Sequence, residues 1–188
     1  MRTDLTLRMP QGFTLAEVLV ALAVAGVAAA AAAPSLNGFM QRSVVQAQAE
    51  SLRSALRLAR QEAMARGETV TACALDGQAR AQGRAACAPQ GEDWSAGWLV
   101  FVDRGDRGAV DGADRVVSVA VAPQPSGSVI GTDRYLSFRP SGVLLSGMGH
   151  LRVLPPGAPA VDEPAPGSVL VCVNRTGRPR LTDTADCD

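Results

Sequence analysis

The chain has 188 residues, eighteen arginines against eighteen acidic residues, no lysine and a single histidine. A formal net charge of zero argues neither for nor against nucleic acid, and the few aromatics leave little for stacking bases. With one histidine, no CxxC and no glycine loop ahead of a helix, catalytic triads, zinc sites and phosphate cradles lack their parts. No enzyme activity, cofactor or metal is expected.

A short leader carrying Arg2 and Arg8 precedes an apolar run from Val18 through alanines to Ala33. That order resembles a secretory signal. Two details depart from one: no small-x-small site closes the run, and the carboxylate of Glu17 sits near its start. As a helix, residues 13–33 would reach about 30 Å, enough for a bilayer core. The span is a weak one, because alanine is only mildly apolar. Glu17 would cost about 2.5–3.5 kcal/mol at the bilayer centre and less near its edge. A carboxylate there needs a partner, and a free amine is the natural one.

Pro34 follows the run and is expected to bend or break a helix. Beyond it, Val45, Ala49, Leu52, Leu56, Ala59 and Ala63 recur at three- and four-residue steps, the apolar face of an amphipathic helix. Glu62 and Arg66 form an i,i+4 pair, and Gly67 stops the helix. Arg53, Arg57 and Arg60 cluster on this half and read as a solvated face, with a partner surface as the alternative. The organisation expected is a leader at 1–12, a transmembrane and assembly helix at 13–66, and a β-rich head with a C-terminal tail at 67–188.

After Gly67 the hydrophobic period becomes alternating. Strands are predicted over 68–75, 97–102, 115–121, 134–138, 142–145, 150–154 and 168–174, separated by Gly, Pro, Asp and Ser clusters. They predict an α+β fold, an antiparallel sheet packed on one long helix. Two segments read as mobile, 76–93 and the proline-rich 155–166. The acidic loop 103–114 invites a calcium reading, but it lacks the EF-hand spacing, and Asp-Gly is a common turn. Asn174-Arg175-Thr176 fits a glycosylation sequon, a three-residue pattern that carries little weight alone. Cys73, Cys87, Cys172 and Cys187 allow three pairings. The two local ones are expected, each worth about 3 kcal/mol in the chain-entropy model.

Gly12-Phe13-Thr14-Leu15-Ala16-Glu17 ahead of the apolar run resembles the type III signal of type IV pilins and pseudopilins. The resemblance implies cleavage by a prepilin peptidase between Gly12 and Phe13, with N-methylation of Phe13. It also implies that Glu17 meets the N-terminal amine of a neighbouring pilin subunit in the filament. Trp94-Ser95-Ala96-Gly97-Trp98-Leu99-Val100-Phe101-Val102-Asp103 and Phe138-Arg139-Pro140-Ser141-Gly142 resemble the GspH/FimT branch of that family, with the tryptophans in the core. By alternation, Trp98 and Val100 point one way and Leu99 and Phe101 the other. The resemblance implies a single-pass inner-membrane protein with a periplasmic head, later part of an extracellular pilus.

Gly177-Arg178-Pro179-Arg180 places two guanidinium groups one residue apart, with Arg175 just before them. Arginine binds phosphate bidentately and stays charged at any working pH. In FimT-type members of the branch, a GRxR motif near the C-terminus is associated with DNA capture. The resemblance implies double-stranded DNA as a partner in natural transformation. Asp183, Asp186, Asp188 and the terminal carboxylate oppose this, since they could pair with the arginines. The alternative is a GspH-like minor pseudopilin of type II secretion, or a pilus-priming subunit without DNA binding.

Overall fold

The computed structural model describes residues 13–122 and 126–187, giving residues 29–37 by their backbone alone. Gly12 and the leader lie outside the described residues, as does Asp188. Contacts divide the chain after Phe39 into two compact units. One helix, α1 (Leu15–Arg66), belongs to both and is unbroken at residue 34, where a proline-induced break was one expectation.

The start of α1 carries a device absent from the sequence reading. The Thr14 amide and hydroxyl both donate to Glu17 Oε2, at 3.2 and 3.3 Å, and the Glu17 amide donates back to the Thr14 hydroxyl at 3.3 Å. This is a reciprocal capping box, which satisfies orphan donors at the helix start. Phe13, Leu15, Leu19, Leu22, Val24 and Val27 are exposed in this unit. Among the described residues no helix is long and apolar enough to cross a membrane.

In the second unit, all six residues of the apolar face of α1 are fully buried. Arg66 pairs with Glu62, and the Gly67 amide bonds the Ala63 carbonyl at a φ of +67°, the left-handed helix end that glycine favours. Gln48, invisible to the apolar pattern, is also buried and donates to the Gly127 carbonyl.

The head contains β1 (Val70–Ala74), α2 (Gly77–Ala81), β2 (Gly97–Val102), β3 (Arg115–Val121), β4 (Val129–Gly131), β5 (Tyr135–Phe138), β6 (Gly149–Val153), β7 (Val169–Val173) and β8 (Pro179–Thr182). They form two antiparallel four-stranded sheets, ordered β3-β2-β1-β5 and β4-β6-β7-β8, where one sheet was predicted. The second sheet was missed because two of its strands are very short. β4 has three residues, and β8 begins at a proline. The strand predicted at 142–145 is instead the exit of a tight turn. The Gly142 amide bonds the Arg139 carbonyl, and the Arg139 amide bonds the Val143 carbonyl. Pro140 and a Gly142 φ of +77° favour that turn over an extended strand.

Alternation on β2 divides the core as expected. Trp98, Val100 and Val102 join the cluster that includes the α1 face. Leu99 and Phe101 point to a second cluster with Cys73 and Leu75, flanked by Cys87, Val110 and Tyr135. The Cys73–Cys87 disulfide and the loop at 103–114 close that second face. α2 lies in the segment predicted to be mobile, with Asp76 as its N-cap, accepting from the amides of Gln78 and Ala79.

Candidate functional site

The β7–β8 hairpin turns through Asn174-Arg175-Thr176-Gly177. The Gly177 amide donates to the Asn174 carbonyl at 2.8 Å, and Gly177 has a φ of +72°. That is a type I turn closed by a left-handed glycine. The side chain of Asn174 reinforces it. Its Oδ1 accepts from the Thr176 hydroxyl at 2.8 Å and from the Arg178 amide at 3.0 Å. The residues of the sequon are thereby engaged by the turn itself.

The hairpin is seated on a second turn, Arg139–Gly142. The Leu144 amide donates to the Arg175 carbonyl at 3.2 Å. A Cβ at Gly177 would stand 2.1 Å from the Gly142 carbonyl oxygen. That same oxygen accepts from Arg60 Nε at 3.0 Å. Residues far apart in the chain thus meet at one carbonyl: a helix arginine, the Gly142 turn and the glycine of the arginine motif.

Gly177 and Pro179 are buried, while Arg175, Arg178 and Arg180 are exposed. The motif therefore leads from a hairpin turn into the last strand of a sheet. Pro179 pairs opposite Val173 and Arg180 opposite Cys172. The two arginines line different hollows. Arg178 and Pro179 line a hollow of about 330 Å³ with Arg57, Arg60 and Gln61 of α1. Arg180 lines another, of about 530 Å³, with Thr132, His150, Asn174 and the Cys172–Cys187 bridge.

The acidic tail is tied back by the expected local bridge. Cys187 is bonded to Cys172, and the Ala185 carbonyl accepts from Arg152 Nη2 at 3.0 Å. Among the described residues, the ion pairs are Arg53–Glu50, Arg66–Glu62, Arg104–Glu68, His150–Asp162 and Arg152–Asp162. Neither Asp183 nor Asp186 pairs with an arginine of the motif.

Asp162 fastens the middle of the proline-rich segment to β6. It accepts from Arg152 Nε at 2.9 Å and contacts His150 Nε2 at 2.7 Å. Partial burial pushes its carboxyl upward, but the hydrogen bonds from His150 and Arg152 outweigh that and hold it below the ordinary carboxylate range. In the loop after β2, Asp111 and Asp114 accept from backbone amides, and Asp103 accepts from the Thr71 hydroxyl and the Gly108 amide. Their oxygens shape the turn. Among the described residues no group of three or more His, Cys, Asp or Glu side chains is placed to hold a metal ion.

The arrangement, with its long helix, cysteine-stapled antiparallel head and apolar helical start, is that of a pilin-like subunit. The chain belongs to the GspH family: the family model described as type II transport protein GspH matches residues 48–180. The prokaryotic N-terminal methylation motif matches residues 7–33. Together they imply a membrane-anchored precursor that is processed at its N-terminus and associates with other pilin subunits. Among solved structures, the type IV minor pilin FimU of Pseudomonas aeruginosa (strain PAO1) has a similar fold in two crystal forms. One matches at TM-score 0.57 and 17% identity, covering 77% of this chain and 92% of FimU. The other matches at TM-score 0.53 and 16% identity, covering 73% and 91%. No curated protein matches the sequence.

The sequence reading missed Arg57 and Arg60 as neighbours of the motif, and Gly142 as its seat. No local signal marks those contacts. The Asn174–Gly177 turn carries a local signal that the sequence reading passed over, since asparagine at the first position and glycine at the fourth favour a type I turn.

Proposed function

We propose that this protein is a FimT-like minor type IV pilin that contacts extracellular double-stranded DNA, for uptake in natural transformation. Arg178 and Arg180 make the contacts, helped by Arg175, and Gly177 shapes the hairpin that presents them. The observation that carries this reading is the state of the two guanidinium-bearing residues. Both are exposed on an anchored hairpin, and among the described residues neither is paired with a carboxylate. Phosphate contacts of this kind bind without reading sequence and weaken with salt. Affinity from one subunit is low, and several copies in one filament raise it through effective concentration.

The path to that state follows from the N-terminal segment. Prepilin peptidase cuts between Gly12 and Phe13, and Phe13 becomes the methylated start. The helix at 13–33 holds the precursor in the inner membrane, with the head in the periplasm. In the filament, neighbouring pilin helices cover its exposed Leu and Val side chains, and Glu17 exchanges its capping bonds for a neighbour's amine. Mass spectrometry of the mature chain should read Phe13 at its start; a start beyond residue 18 would sink this account.

A second reading is favoured by the family description itself: a minor pseudopilin of type II secretion, or a priming subunit, working through protein contacts alone. The test is fluorescence anisotropy of a labelled mixed-sequence duplex with the full chain in non-ionic detergent. Weak binding is expected that falls as salt rises, with about 0.9 in the log–log slope per phosphate contact. Arg178→Gln with Arg180→Gln should abolish it and leave the circular dichroism spectrum unchanged. No binding by the wild type at low salt would leave the pseudopilin reading as the better one.

A further inference from the structure

We infer that Arg57 and Arg60 of α1 form, with Arg178, a single phosphate-binding hollow, so that DNA runs across the helix as well as the hairpin. This rests on the DNA reading and extends it to residues outside the C-terminal motif.

Four observations converge on it. First, Arg57, Arg60, Gln61, Arg178 and Pro179 line one concavity of about 330 Å³, with no carboxylate among them. Second, the acidic residues of this helical stretch are engaged elsewhere, Glu50 with Arg53 and Glu62 with Arg66. Among the described residues no carboxylate pairs with Arg57, Arg60 or Arg178. Third, Arg60 is held in place. Its Nε donates to the Gly142 carbonyl at 3.0 Å, which leaves its two terminal amino groups for a ligand. A guanidinium fixed by one bond loses less freedom when it takes a phosphate. Fourth, the seat is shared: the Gly142 carbonyl that positions Arg60 also lies against Gly177 at the root of the Arg178 hairpin.

Three like charges around one hollow repel one another, a cost that a bound anion would relieve. A phosphodiester satisfies it, because its charge is spread over oxygens that accept from several guanidinium donors at once. Arg180, in the other hollow, would take a separate phosphate.

The test uses the full chain in non-ionic detergent and the same labelled duplex across a salt series. Arg57→Gln is the cleaner variant, because Arg57 is exposed and its side chain makes no hydrogen bond among the described residues; Arg57→Glu is its stronger form. Arg57→Gln should flatten the slope of log affinity against log salt by about 0.9, and Arg57→Gln with Arg60→Gln by about twice that. Arg57→Glu should weaken binding more than Arg57→Gln. Thermal unfolding separates any seating role of Arg60 from its charge. Duplex binding that is lost in the Arg178/Arg180 variant but unchanged in both Arg57 variants would overturn the inference and leave the DNA reading standing. No binding by the wild type overturns both. Weaker binding of Arg57→Glu to phosphatidylglycerol vesicles, with duplex binding unchanged, would assign the hollow to lipid phosphate and also overturn it.

Discussion

Gly177→Ala is expected to lower the melting temperature by roughly 5–10 °C, for a cost of about 2–3 kcal/mol in a protein of this size. It should also remove duplex binding, although every arginine of the site remains. Two costs combine. A side chain at a φ of +72° raises the backbone energy by about 1–2 kcal/mol. The new Cβ would also stand 2.1 Å from the Gly142 carbonyl oxygen, so the hairpin must lift off its seat. Lifting it moves Arg178 and disturbs the carbonyl that holds Arg60. Gly67→Ala is the control, since Gly67 has a φ of +67° and nothing within 4 Å of its added Cβ. It should show the backbone cost alone and keep its DNA binding. Thermal unfolding of both variants, with anisotropy on the same samples, decides the point. Equal melting temperatures for the two would mean that the contact with Gly142 carries no energy.

Trp94→Ala should cost about 3–5 kcal/mol, as removing a large aromatic from a closed core does. Trp94 is fully buried, and its Nε1 donates to the Asp133 carbonyl at 2.9 Å. Trp94→Phe should therefore lose both the bond and packing volume, and leave that carbonyl short of a donor. Trp98 behaves differently under the same change. It is almost fully buried, but among the described residues its Nε1 has no hydrogen-bond partner. Trp98→Phe removes an unsatisfied donor along with some volume, so its cost should be the smaller of the two. Chemical denaturation of the two phenylalanine variants measures the difference. A greater loss at Trp98 than at Trp94 would show that cavity volume, and not the hydrogen bond, sets the order.

The apolar face of α1, the helix stop at Gly67 and the alternation on β2 were legible because each depends on residues within a few positions of one another. Periodicity of 3.6 or 2, a helix-ending glycine and an i,i+4 pair are local facts of chain geometry. The capping box at Thr14 and Glu17 was equally local, and was obscured by reading Glu17 only as an assembly residue. Sheet membership was less accessible. β4 and β8 are too short to show a period, and they are strands because β6 and β7 supply their hydrogen-bond partners.

The sequence by itself determined the long helix, the alternating head and the presence of an arginine motif near the C-terminus. Each follows from side-chain type and short-range spacing. The structure chose the two local disulfides among three possible pairings. Only the tertiary structure decided where those arginines face. It divided Arg178 from Arg180 between two hollows, sent the acidic tail toward Arg152, and brought Arg57 and Arg60 to the hairpin. Residue 60 meets residue 142, and residue 142 meets residue 177, through one carbonyl oxygen. The reason is physical: contacts across such separations are fixed by packing of the helix and sheets into one core, and no local pattern of residues encodes them.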